Sequence, residues 1–191
     1  MRFKLVLAAL FFFAVLPAVG QVKPAANFSG IPLGVGVGFM DYSIGYAPGD
    51  RIMGVSAWAD YSFFRGLGLE AEGAALNFDA PARVGRFSQY TIKGGPIYKA
   101  RSVFGLHPYV KALFGVTQGN FALRDNFYYT SDDFLNYSYG GGVEYKAWKN
   151  IYVRADYQYE FVRDYLILHD LNPNGVTIGA TYYLRTPRGY K

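Results

Sequence analysis

Nine charged residues fall on the polar faces of stretches that alternate with apolar residues: Glu70 and Glu72, Lys93, Lys111, Glu144 and Lys146, and Arg154 with Asp156 and Glu160. Within each stretch the charges share parity, so in an extended chain they project from one face. Opposite charges gathered on one face of a narrow enclosure form an ion-pair network, because an unpartnered buried ion costs several kcal/mol. Other chemistries find less support. With no Cys in 191 residues, a thiolate zinc site, a cysteine nucleophile and a disulfide scaffold are excluded. The two histidines, His107 and His169, do not cluster as metal ligands. Neither sits on a strand face beside a serine, as a Ser-His catalyst would require. The glycines at 34, 36, 38 and 140–142 alternate or stack within strands and do not form a phosphate loop. No metal, cofactor or enzymatic activity is expected. The formal charge of +5 is spread along the chain, so a nucleic-acid patch is not expected either.

The elements that must carry these charges are strands. Apolar and polar residues alternate with period two. From Ile151 to Phe161 the odd positions are all apolar, whereas Arg154, Asp156, Gln158 and Glu160 lie among the even ones. The same alternation predicts eight strands, at about 31–44, 51–63, 67–78, 87–98, 108–119, 135–147, 151–161 and 175–184. An even number of antiparallel strands can close on itself and leave no free edge.

Two barrels fit such a pattern. A soluble, lipocalin-like carrier turns its apolar face inward, and a membrane barrel turns it toward lipid. Volume favours the membrane. The apolar faces hold twelve aromatic rings, among them Tyr61, Phe63, Tyr90, Phe114, Tyr139 and Tyr157. An eight-stranded lumen is only just wide enough for side chains to fill, and these rings would overfill it. The opposite faces hold ten glycines, which suit a crowded lumen and weaken a solvated strand. A strand of about 11 residues, tilted about 45°, spans about 25 Å, the height of the apolar band of an outer-membrane barrel. Aromatics also gather toward strand ends, with Phe64, Tyr98, Tyr145, Trp148, Tyr152 and Tyr182 at one end. Long connections at 45–50, 79–86, 120–134 and 162–174 alternate with short turns, although the turn at 99–107 is longer than this scheme explains.

The N-terminus reads as an export signal. Arg2 and Lys4 precede an apolar run from Leu5 to Leu16, followed by Pro17 and Ala18-Val19-Gly20. The run is too short for the roughly 20 residues of a spanning helix. Cleavage is expected after Gly20, leaving 21–191 as a single barrel domain.

Together these features resemble the family of small eight-stranded outer-membrane barrels that includes the OmpA transmembrane domain, OmpX and the opacity proteins. The resemblance implies an all-β, up-and-down transmembrane barrel in the bacterial outer membrane, in contact with lipid and lipopolysaccharide. The last strand, Thr177-Ile178-Gly179-Ala180-Thr181-Tyr182-Tyr183-Leu184, is similar to the signal read by the barrel-assembly machinery, with Thr177, Gly179, Tyr182 and Leu184 at its defining places. It departs from that pattern in carrying the tail 185–191. The resemblance also implies a lumenal ion-pair gate, with Glu70 or Glu72, Glu144, Lys93 and Arg154 at the matching places and Lys111, Lys146, Asp156 and Glu160 extending it. A structural or surface-interaction barrel is then the leading expectation, with loops 120–134 and 162–174 as candidate contact surfaces. A narrow or gated porin-like channel is the alternative.

Overall fold

The computed structural model describes residues 32–43, 51–78, 87–122, 129–162 and 172–185. The proposed signal segment, His169 and most of the fourth long loop lie outside these residues. Eight strands follow one another in chain order: β1 (Leu33–Ser43), β2 (Arg51–Phe64), β3 (Leu67–Phe78), β4 (Phe87–Lys99), β5 (Leu106–Ala122), β6 (Tyr129–Lys146), β7 (Ile151–Val162) and β8 (Asn174–Tyr183). Each pairs antiparallel with its neighbour, and β8 returns to β1 to close the barrel. The expected fold class is the one observed.

The alternation sorts side chains as the volume argument requires. Val37, Phe39, Ile92 and Val110 lie on the outside, and all are more than half exposed. The charged positions of β4 and β5, Lys93, Lys99 and Lys111, are buried inside. The lipocalin-like alternative needs the reverse orientation and is overturned. Tyr152 is also corrected. Its even position on β7 turns it into the lumen, where it packs edge-on against Tyr183 with ring centroids 5.0 Å apart, away from the outer girdle.

Two connections depart from expectation. The stretch 99–107 extends a hairpin instead of forming a loop. Val103 and Leu106 exchange backbone hydrogen bonds of 2.8 and 3.0 Å around Phe104-Gly105, whose φ angles are 52° and 80°. Arg65-Gly66, between β2 and β3, repeats this with φ of 41° and 93°. A two-residue reversal with both central φ positive is the turn whose twist matches a right-twisted hairpin. The third long connection is shorter than expected, because β5 and β6 stay paired out to Ala122 opposite Tyr129. Phe134, expected on a contact loop, lies on β6 with its side chain buried.

Candidate functional site

The interior is layered. At the loop end Met40, Tyr42, Ile52, Leu76, Phe134 and Val162 point inward as one buried apolar cluster, beside the buried Gln89, Thr91, Thr117 and Thr177. Below them, toward the short turns, six carboxylates and four cations are buried together among the described residues.

Arg154, on β7, is the hub of this charged layer. Its guanidinium donates two hydrogen bonds to Glu70 on β3, at 2.7 and 3.0 Å, and a third of 2.9 Å to Asp156. The planar fork matches a carboxylate in this bidentate way, which a lysine cannot do. The same group lies 4.5 Å from the ring centroid of Trp58 (β2) and 4.7 Å from that of Tyr109 (β5). The indole in turn donates to Thr181 on β8 at 3.0 Å. These contacts cross the lumen from β2 to β7.

The glycines of β1 make room for this arrangement. A Cβ on Gly36 would overlap the Trp58 ring, and one on Gly38 would press against it.

Lysines bridge the remaining carboxylates. Lys111 contacts Glu70 at 3.0 Å and Glu72 at 2.7 Å, with Asp156 at 3.8 Å. Lys93 pairs with Glu72 at 3.2 Å and with Glu160 at 2.5 Å. Neutral groups complete the set. Gln158 donates to Glu72 at 3.0 Å, Asn136 donates to Glu160 at 2.9 Å, and the Tyr109 hydroxyl donates to Asp156 at 2.7 Å. Nearer the turns, Lys99 donates to Asp60 at 2.8 Å and to Glu144 at 3.4 Å. The Tyr183 hydroxyl contacts Lys99 and donates to Glu144 at 2.8 Å.

Eight of the nine charged residues expected in the lumen are buried there: Glu70, Glu72, Lys93, Lys111, Glu144, Arg154, Asp156 and Glu160. Lys146 is the correction. It shares the parity of Glu144 but is the last residue of β6, beyond the enclosing wall, and is exposed. Glu144 pairs with Lys99, a partner the sequence reading did not place in the network.

Asp60 and Lys99 are the ions that sequence reasoning left out. Both had the right parity. Asp60 lies on the polar face of β2, and Lys99 follows Lys93 by six residues on β4, one position past the strand end assigned from sequence. His107, assigned to a turn, is the second residue of β5. It is buried, with its ring 5.8 Å from that of Tyr152. In β8, Thr177 faces inward and Tyr182 outward, while Leu184 lies just past the strand and donates its N–H to Leu33 at 2.9 Å.

The fold recurs in solved structures. Neisserial surface protein A superimposes with a TM-score of 0.66 at 14% identity, covering 80% of this chain and 96% of that one. Ail, the attachment invasion locus protein of Yersinia pestis, gives 0.58 at 17% identity, covering 80% and 98%. The N-terminal β-barrel domain of Pseudomonas aeruginosa OprF gives 0.52 at 14% identity, covering 80% and 99%. No curated protein sequence matches the chain significantly. Residues 5–183 match the family model described as outer membrane protein beta-barrel domain. An apolar exterior, an ion-paired interior and that match lead to one conclusion: the chain belongs to the outer-membrane β-barrel family and is a protein of the bacterial outer membrane.

Proposed function

We propose that this protein is a closed, non-enzymatic barrel that serves the outer membrane as a structural and surface-interaction element. The observation that carries this reading is the filled lumen. Arg154 is fully buried between Trp58 and Tyr109, and the apolar cluster around Leu76 caps the charged layer on the loop side. A bidentate pair held between two rings stands across the course that water and ions would take.

The stretches 123–128 and 163–173, which join β5 to β6 and β7 to β8, are then the candidate contacts for a surface partner, with lipopolysaccharide around the outer rim. Residues 1–20 direct export, and Thr177, Gly179, Tyr182 and Leu184 present the closing strand to the assembly machinery.

A planar-bilayer recording of the purified, detergent-folded protein tests the reading. No unitary current steps are expected from wild type. Trp58→Ala with Arg154→Ala, which empties the crossing, should give small steps if it inserts. Steady wild-type steps would replace this reading with the gated channel, for which the several exchangeable carboxylate partners of Lys111 would be the moving part.

A further inference from the structure

The three short turns share a composition that neither the lumen nor the fold requires. Each presents one exposed aromatic ring and at least one exposed cation. The first has Phe64 and Arg65, the second Phe104 and Arg101, and the third Trp148 with Lys149 and the neighbouring Lys146. Phe104 is fully exposed and Trp148 is 70% exposed.

Among the described residues, no exposed carboxylate lies at the turns to offset these charges. Of the chain's 14 acidic residues, six are the buried lumenal ones. The remainder fall, in sequence, in the long loops or in the strand segments that lead into them. Among the described residues, the exposed side chains of the three short turns are therefore cationic without an acidic neighbour.

Two of these residues also sit against local preference. Arg65 and Phe104 occupy the left-handed first position of their turns, where asparagine or glycine is favoured. A residue kept in spite of backbone preference points to a role for its side chain.

We propose that the turn-end rim binds anionic glycerophospholipids of the periplasmic leaflet, with cations on the headgroup phosphates and the rings at the headgroup–acyl boundary. The patch continues the lipid-contacting wall. Tyr98, Tyr145 and Tyr182, all about half exposed, lie on the outer face just inside the turns. Tyr and Trp settle at this depth in a bilayer, and arginine and lysine stems reach from it to the surface. Several cations beside an anionic surface add their attractions, and that attraction is screened by salt.

Trp148 supplies the probe. The chain has 2 tryptophans, and the other, Trp58, is buried in the lumen. The full barrel is placed in nanodiscs of phosphatidylcholine containing a fixed fraction of either brominated phosphatidylglycerol or brominated phosphatidylcholine. Tryptophan quenching is then read after subtracting the signal of Trp148→Phe. The anionic lipid should quench Trp148 more strongly, with a relative association constant of about 3 to 10. The preference should fall to about 1 when Arg65, Arg101, Lys146 and Lys149 are all changed to Gln, and should shrink in about 1 M salt. Equal quenching by the two lipids in wild type would overturn the proposal. So would a preference that survives removal of the four charges. Heat-modifiable gel migration reports whether the fourfold variant is folded. If it is not, Arg101→Glu alone serves in its place and should at least halve the preference.

Discussion

Two layers fill the same barrel by opposite means. On the loop side, Leu76, Ile52, Met40 and Phe134 occupy the lumen by contact alone. On the turn side, Arg154, Glu70, Lys111 and Glu72 occupy it by charge, and each answers to more than one partner. The wall does not dictate the filling, since both layers use inward positions of the same strands. What differs is how a loss spreads. Removing an apolar side chain leaves a cavity bounded by its own neighbours. Removing one ion leaves its partners charged and dry with one counter-ion fewer, so the loss passes to every ion it touched.

That contrast can be broken by measurement. The largest effect is expected from Arg154→Met, which leaves Glu70 and Asp156 with Lys111 as their shared counter-ion and should cost about 3–5 kcal/mol in reversible urea unfolding from lipid vesicles. Adding Glu70→Gln and Asp156→Asn to that variant should restore more than half of the loss, because those two charges are then gone. Failure to recover would mean that Arg154 acts mainly through its stacking on Trp58 and Tyr109. In the apolar layer, Leu76→Ala should cost about 2–4 kcal/mol by the same assay. A second-site neutralisation in the charged layer should leave that value unchanged within about 0.5 kcal/mol, because distant sites add. A coupled response would dissolve the distinction between the layers.

Smaller effects sharpen the picture. Phe104→Asn should raise stability by about 0.5–1 kcal/mol, because asparagine tolerates the left-handed backbone better. The smallest effect belongs to Asp41→Asn. The Arg51–Asp41 pair is 2.7 Å long, as short as the closest Arg154–Glu70 contact, but both of its side chains are more than 40% exposed. It should cost less than about 1 kcal/mol. Two contacts of one length and very different worth would isolate burial as the deciding variable.

Most of the barrel was legible in the sequence because a strand in a one-layer wall has only two faces. Once Arg154, Asp156 and Glu160 share parity against Val153, Ala155 and Tyr157, lipid on one side and ions on the other follow from volume. The strand ends were less legible. Lys99 and Lys146 have inward parity alike, yet Lys99 is walled in and Lys146 is exposed, and that difference lies in how far the neighbouring strands extend. Partner choice was not legible at all. Glu144 meets Lys99 because of the stagger of strands around the barrel, which alternation along any one strand does not encode. The hairpin around Phe104-Gly105 was hidden for another reason. Its first residue lacks the usual turn chemistry, and only the glycine signalled it.

The ion cluster also bears on how the molecule is built. Arg154 and Glu70 stand 84 residues apart, and Lys93 and Glu160 stand 67 apart. A half-finished sheet holding β1 to β5 already carries Asp60, Glu70 and Glu72 with Lys99, Lys111 and Lys93 as their counter-ions. It lacks the bonds that β7 throws across the lumen. Arrival of β7 sets Arg154 on Glu70 and Glu160 on Lys93, so the cluster ties the late strands to the early ones.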